Sequence, residues 1–481
     1  MCPSGSMTAA AIGAGLALTL ASSSAFATWL VSHPEVSGGD VVDADVRRAG
    51  GRWAPMAWDD LAHTTVEPGR YEVRARAVSD RPGEAIQIPV CAGRVEVRVD
   101  SRVVGDDPGP IVVPVSAGAH EVVIQIEVSR YERRIACGER VRLGRVQETT
   151  AAGLGLLVFE SPYAGRGGGK AVVYVPPGHD LHQLGTVLVG LHPWNGTLWT
   201  YAAYQELLRE ARARGVLLLM PSGLGNSLYT ADAEDEVLRA IAALASVVVV
   251  RDSLDSVHSL NVSIWGASMG GAGATTIAFH HPDRFATVTS FFGDSKYDLS
   301  TYVRSILVDE RAAHRVNALD VVDNARNLPV WLIHGEDDAT SPIRQSEMLA
   351  TALQQRGYPV RFDRIPGIGH SGALVARFLP ELVATVAATA IPARSHYAPQ
   401  RITYRSVRPS DLDVYGLHID HADPAADAFI DVEFSANGIR VYRVDGVRQI
   451  TFHPGCTRVP PISFDDPASA VPFVRVGDPC F

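Results

Sequence analysis

The stretch that most constrains this chain is Asn261-Val262-Ser263-Ile264-Trp265-Gly266-Ala267-Ser268-Met269-Gly270-Gly271. A short apolar, partly β-branched run ends in Gly-x-Ser-x-Gly and continues into Gly271-Ala272-Gly273-Ala274-Thr275-Thr276-Ile277-Ala278, which reads as a helix. Strand, sharp turn and helix form the context in which Gly266-x-Ser268-x-Gly270 lifts a serine hydroxyl above a sheet. Glycines flank the serine because a strained turn leaves no room for side chains two positions away. The turn also sets backbone N–H groups at the helix start beside the hydroxyl. A Gly/Ser-rich turn without chemistry would satisfy the short motif alone; the strand before it and the small-residue helix after it favour a nucleophile.

The surroundings of this turn predict a parallel sheet. Apolar runs at residues 186–191, 216–220, 262–265 and 329–333 have no polar face, as expected of strands covered on both sides. Helix-like runs at 201–214, 235–244 and 345–356 lie between them. Alternating β and α over residues 154–391 predicts a doubly wound, mostly parallel α/β domain with ligands at the C-terminal ends of its strands. Residues 171–175 read as an early antiparallel strand after the Gly-rich turn at 165–169. That turn lacks the strand-loop-helix context and the Gly-Lys-Ser/Thr ending of a phosphate loop.

Both flanks read as β. Residues 71–77 and 95–100 alternate apolar and charged with a period of two, and 111–115 and 120–128 follow between Gly/Asp/Pro turns. This predicts a β-sandwich over residues 28–147, joined by a linker at 147–153. No site residue stands out in it. After residue 396, β-like runs at 401–404, 428–434 and 439–444 predict a small β module reaching Phe481. A chain of 481 residues with 46% hydrophobic and 20% charged residues has enough apolar material for several cored domains.

The net charge of −10, with no basic cluster to offset it, argues against a nucleic-acid partner, since phosphate binding wants a basic face. Residues 8–20 are apolar and lead to Ala25-Phe26-Ala27, an A-x-A cleavage site, so residues 1–27 read as a signal peptide. No Lys or Arg precedes the apolar core, and Met7 is an alternative start. The run is short for a membrane span, which points to a secreted or periplasmic protein without a stable span in the mature chain. Four cysteines then remain, two near each end. Their distribution favours the disulfides Cys91–Cys137 and Cys456–Cys480 among three possible pairings. No cysteine or histidine spacing suggests a metal site.

Acyl transfer by a serine requires a base to take its proton and a buried carboxylate to orient that base. Two later strands end suitably. Residues 329–333 lead to His334-Gly335-Glu336-Asp337-Asp338-Ala339-Thr340-Ser341-Pro342, and residues 360–362 lead to Ile365-Pro366-Gly367-Ile368-Gly369-His370-Ser371-Gly372. His370 is the candidate base. The turn after residues 186–191, His192-Pro193-Trp194-Asn195-Gly196, is the candidate source of an oxyanion donor, and Met269 N–H, directly after the nucleophile, is another. Tyr204 and Tyr229 are weaker candidates for the cleft.

Gly266-Ala267-Ser268-Met269-Gly270-Gly271, His334-Gly335-Glu336-Asp337-Asp338 and Gly369-His370-Ser371 together resemble the three signature places of the α/β-hydrolase superfamily. The resemblance covers residues ~155–390. Within the superfamily the chain is similar both to secreted polyhydroxybutyrate depolymerase and feruloyl esterase-like enzymes and to the catalytic domain of the prolyl oligopeptidase family. It implies the order nucleophile, acid, histidine, hence Ser268, Asp338 and His370. Asp338 falls at the acid of a His-Gly-x-x-Asp-x-x-x-Pro run; Asp337 is the runner-up and Glu336 reads as solvated. The superfamily has His-Gly-x at the oxyanion turn, where Pro193 replaces the glycine and has no N–H; Trp194 N–H takes the equivalent place. The 120 residues before the domain are too few for the β-propeller of the better-known prolyl oligopeptidases.

The expected protein is therefore an exported serine hydrolase, an esterase or polyester depolymerase first and a prolyl oligopeptidase-type peptidase second. Its partner would be an ester or peptide substrate, monomeric or polymeric, and it needs no cofactor. The rival from another class is a non-catalytic exported binding protein with a degenerate hydrolase core. Oligomeric state is not legible.

Overall fold

The computed structural model describes residues 29–32, 35–105, 109–147, 152–164, 168–179, 185–248, 260–389, 401–435, 438–452, 462–465, 470–471 and 473–475. The expected signal peptide, the Cys456–Cys480 disulfide and Gly165–Gly167 lie outside them.

The organising element is a nine-stranded sheet. Its strands are β1 (Trp29–Ser32), β2 (Gly153–Phe159), β3 (Gly169–Val175), β4 (Thr186–Leu191), β5 (Leu217–Pro221), β6 (Asn261–Ala267), β7 (Val288–Phe291), β8 (Val330–Gly335) and β9 (Val360–Ile365). They run in the order β1-β2-β3-β5-β4-β6-β7-β8-β9. The first three pairings are antiparallel, and all from β5 onward are parallel. Every residue of β5, β6, β7 and β8 is buried, which accounts for their lack of a charged, solvent-facing side. Helices α2 (Asp232–Val248), α3 (Met269–His280) and α4 (Arg344–Gln355) pack on one face. Helices α1 (Gln205–Arg214) and α5 (Gly372–Ala388) pack on the other. This is the doubly wound α/β-hydrolase fold that the sequence predicts, with residues 171–175 antiparallel as read.

The predicted helix over 201–214 is interrupted. Thr200–Ala203 form a 3-10 turn, and Tyr204 is extended (φ −95°, ψ 104°) before α1 begins. A second difference concerns the first domain boundary. Residues 28–147 were expected to form the sandwich, but Trp29–Ser32 pair with residues 155–158 at the edge of the hydrolase sheet. The first sandwich strand is Val36–Asp40. A four-residue strand carries no record in its own sequence of which sheet edge will accept its backbone hydrogen bonds.

The sandwich has a six-stranded and a four-stranded sheet. Its long strands Gly69–Ser79 and Gly118–Val128 pair along their full length, and their inward residues join Trp58, Ile86 and Ile88 in a separate core. Cys91 and Cys137 are disulfide-bonded within it. The C-terminal module contains two further four-stranded sheets sharing a core that includes Ile402, Tyr404, Ile430, Val441 and Ile450. No helix among the described residues is long and apolar enough to cross a membrane.

Candidate active site

The turn between β6 and α3 carries Ser268 at φ 56°, ψ −121°, a left-handed conformation that costs a non-glycine residue about 1–3 kcal/mol. Backbone bonds hold it there: Ser268 N–H donates to Phe291 O (2.9 Å), and Ala272 N–H donates to Ser268 O (3.0 Å). The flanking glycines are required by close approach. A Cβ on Gly270 would lie 1.8 Å from Leu191 O, and one on Gly266 would lie 2.3 Å from Gly270 O. Met269 is the first residue of α3, so its N–H has no partner within the helix.

His370 lies at the loop before α5, and its Nδ1 is 2.7 Å from Asp338 Oδ2. Asp338 is buried after β8. Its other oxygen, Oδ1, accepts the Thr340 and Ser341 N–H groups at 2.8 and 2.9 Å. Burial alone would raise its pKa, but hydrogen bonds from His334 and His370 outweigh burial and hold the carboxyl well below the usual range. The competing acids lie elsewhere. Asp337 is exposed, and Glu336 is exposed and pairs with Arg364 at 3.2 Å. Among the described residues no hydrogen bond joins Ser268 Oγ to His370; such contacts are often long in free enzymes and tighten when substrate binds.

The turn after β4 is held from below. His192 is buried, with Nε2 2.9 Å from Ser222 O, and Tyr229 OH donates to His192 O at 3.2 Å. Tyr229 is thus a fully buried support of this turn, and burial raises its phenol pKa well above the ordinary value. Trp194 follows with its ring edge-on to Tyr302, centroids 4.9 Å apart, and among the described residues nothing accepts from its N–H. Tyr204 is buried, and its OH donates to Glu132 of the sandwich at 2.7 Å.

Four residues of the region were not singled out from the sequence. Tyr201 OH donates to Leu191 O (2.9 Å) and accepts from Ala267 N–H (3.0 Å), tying the end of β4 to the end of β6. Phe292 packs on His370, centroids 4.4 Å apart. Asp294 accepts from Ser341 OH at 2.6 Å, and burial pushes its carboxyl up against the lowering effects of Ser341 and His370. Its place just after β7, at the C-terminal edge of the sheet, was a usable signal. Tyr131 of the sandwich stands edge-on to His370 at 5.5 Å, and nothing local in its sequence points there.

Residues 241–388 match the prolyl oligopeptidase family, a span that contains the Ser268 turn, Asp338 and His370 on the sheet described above. The middle domain has the α/β-hydrolase fold. The chain is similar over 124 residues to S-formylglutathione hydrolase of Paracoccus denitrificans, at 30% identity, covering 24% of this chain and 44% of that protein. An uncharacterized secreted protein of Arthroderma benhamiae is 27% identical over 224 residues, covering 44% of this chain and 21% of that one. The chain thus spans less than half the length of either relative. Among solved structures, the S-formylglutathione hydrolase of Agrobacterium tumefaciens superposes with a TM-score of 0.42 at 22% identity, over 50% of this chain and 97% of its own.

Proposed function

We propose that this protein is an exported serine hydrolase that cleaves carboxylic esters through an acyl-enzyme. The observation that carries the reading is the 2.7 Å contact of His370 Nδ1 with a buried, ionised Asp338, at the same sheet edge as a serine held at positive φ. His370 Nε2 takes the Ser268 proton as Oγ attacks the substrate carbonyl. Asp338 Oδ2 accepts the Nδ1–H, fixing the tautomer and stabilising the imidazolium. The N–H groups of Met269 and Trp194 donate to the oxyanion. The tetrahedral intermediate collapses, the ester C–O bond breaks and the alcohol leaves with the proton from His370. Water, deprotonated by His370, then releases the carboxylic acid and regenerates Ser268.

Export is supported by the Cys91–Cys137 disulfide and by the likeness to a secreted protein. A prolyl oligopeptidase-type peptidase is the second reading, favoured by the family match over residues 241–388. The test is to label the protein with a fluorophosphonate, map the adduct, and compare p-nitrophenyl esters with proline-containing peptide amides. An adduct on Ser268 with ester turnover is expected, and Ser268→Ala should lower kcat by roughly 10⁴–10⁶. Fast amide cleavage would select the peptidase reading. A folded protein that never forms the adduct would refute both.

A further inference from the structure

Ser129-Arg130-Tyr131-Glu132-Arg133-Arg134 follows the last long strand of the sandwich and carries no recognisable motif. The fold nevertheless presses it against the His370 loop. Tyr131 O accepts the Gly372 N–H at 2.9 Å, and a Cβ on Gly372 would lie 2.3 Å from Glu132 Oε2. Glu132 accepts from Tyr204 OH at 2.7 Å and pairs with buried Arg134, which reaches Glu206 of α1 at 3.3 Å. The Cys91–Cys137 disulfide closes the base of the same segment. Tyr131 is therefore fixed from both domains, half-buried and edge-on to the His370 ring.

The side of the cleft follows from the chemistry. His370 protonates the departing alcohol, so a group beside its ring borders the alcohol portion of the ester, whereas Trp194 stands at the oxyanion turn. Tyr302, which packs on Trp194, also lies within electrostatic reach of Tyr131 and Asp294. Resting on the serine-hydrolase reading, we propose that the N-terminal sandwich completes the substrate cleft on its alcohol side, with Tyr131 as the specificity-determining residue that restricts it to esters of small alcohols.

The test uses the full chain and a series of acetate esters from methyl to branched and cyclic alcohols. The fraction of active sites is counted by a small fluorophosphonate on Ser268. Tyr131→Ala should raise the ratio of kcat/KM for bulky over methyl esters by about tenfold, the low end of the discrimination that one methylene in a pocket produces. Tyr131→Leu, which removes the rigid ring while keeping much of its volume, should shift the ratio in the same direction. Tyr131→Phe should return the wild-type ratio. If kcat falls in equal proportion for every ester, Tyr131 only props His370 and the proposal is wrong; an unchanged ratio overturns it too. A wild-type chain that neither labels nor turns over any ester refutes the hydrolase reading, and this inference falls with it.

Discussion

Asp337 and Asp338 are adjacent carboxylates that the sequence alone barely distinguishes, and their surroundings separate them completely. Asp338 is buried, its Oδ1 filled by two backbone N–H groups and its Oδ2 directed at His370. Asp337 faces water. Asp338→Asn should lower kcat by roughly 10⁴, the effect of losing the orienting carboxylate in a comparable triad. Asp337→Asn should stay close to wild type in the same ester assay. The reverse result would transfer the orienting role to Asp337. Because its folded pKa is depressed, Asp338 stays ionised through mildly acidic pH, so its protonation does not set the acid limb of the rate profile there. Ser268 and His370 were legible as candidates because each sits in a short glycine-bearing turn after an apolar run. The choice of Asp338 over its neighbour comes from the resemblance of residues 334–342 to a His-Gly-x-x-Asp-x-x-x-Pro run, and the fold adds that Asp338 is the one it buries.

At the scale of elements, the turn after β6 depends on how closely strand ends pass one another. Leu191 O, at the end of β4, occupies the space that a side chain at position 270 would need. Gly270→Ala should therefore force β4 and α3 apart, destabilising the protein by about 2–4 kcal/mol and abolishing ester turnover. Chemical denaturation and the ester assay read the two effects separately, and a variant with unchanged stability and turnover would refute this packing. Such glycines can be read from sequence because the motif is local. The break at Tyr204 could not be. Residues 201–214 have helical periodicity, but Tyr204 is drawn out of helical geometry where its side chain meets Glu132 and Arg134 of another domain. Likewise, β1 has the composition of a sandwich strand and is claimed by a different sheet.

Across the whole molecule, the C-terminal module is joined to the hydrolase domain by buried charge. Arg408 makes paired hydrogen bonds to Glu234 at the start of α2 and also contacts Asp411, which lies 2.5 Å from His280 Nδ1 at the end of α3. Burial alone would raise the Glu234 pKa, but Arg408 and His281 hold it well below its ordinary 4.5. Asp411 is likewise held below its ordinary 3.8, because His280 and Arg408 outweigh burial. Burial lowers His280 below its ordinary 6.5. All three folded values lie below the unfolded ones, so the unfolded chain binds more protons in acid and stability falls as pH falls. The His280 contribution is lost progressively below about 6.5, and those of the carboxylates below about 4.5 and 3.8. Tm should therefore drop between pH 7 and 4, with Glu234→Gln flattening the part below 4.5; a Tm independent of pH over this range would contradict the docking geometry.

The sequence by itself determined the doubly wound sheet, the strained Ser268 turn and the order of serine, acidic run 336–338 and His370 along the chain, because these depend on apolar runs and glycines only a few residues apart. The tertiary structure alone decided which acid is buried, which sheet receives Trp29–Ser32, and that Tyr131 reaches His370 from the sandwich. Those outcomes are contacts between residues far apart in the chain, and their energies arise only when the domains exclude water between them.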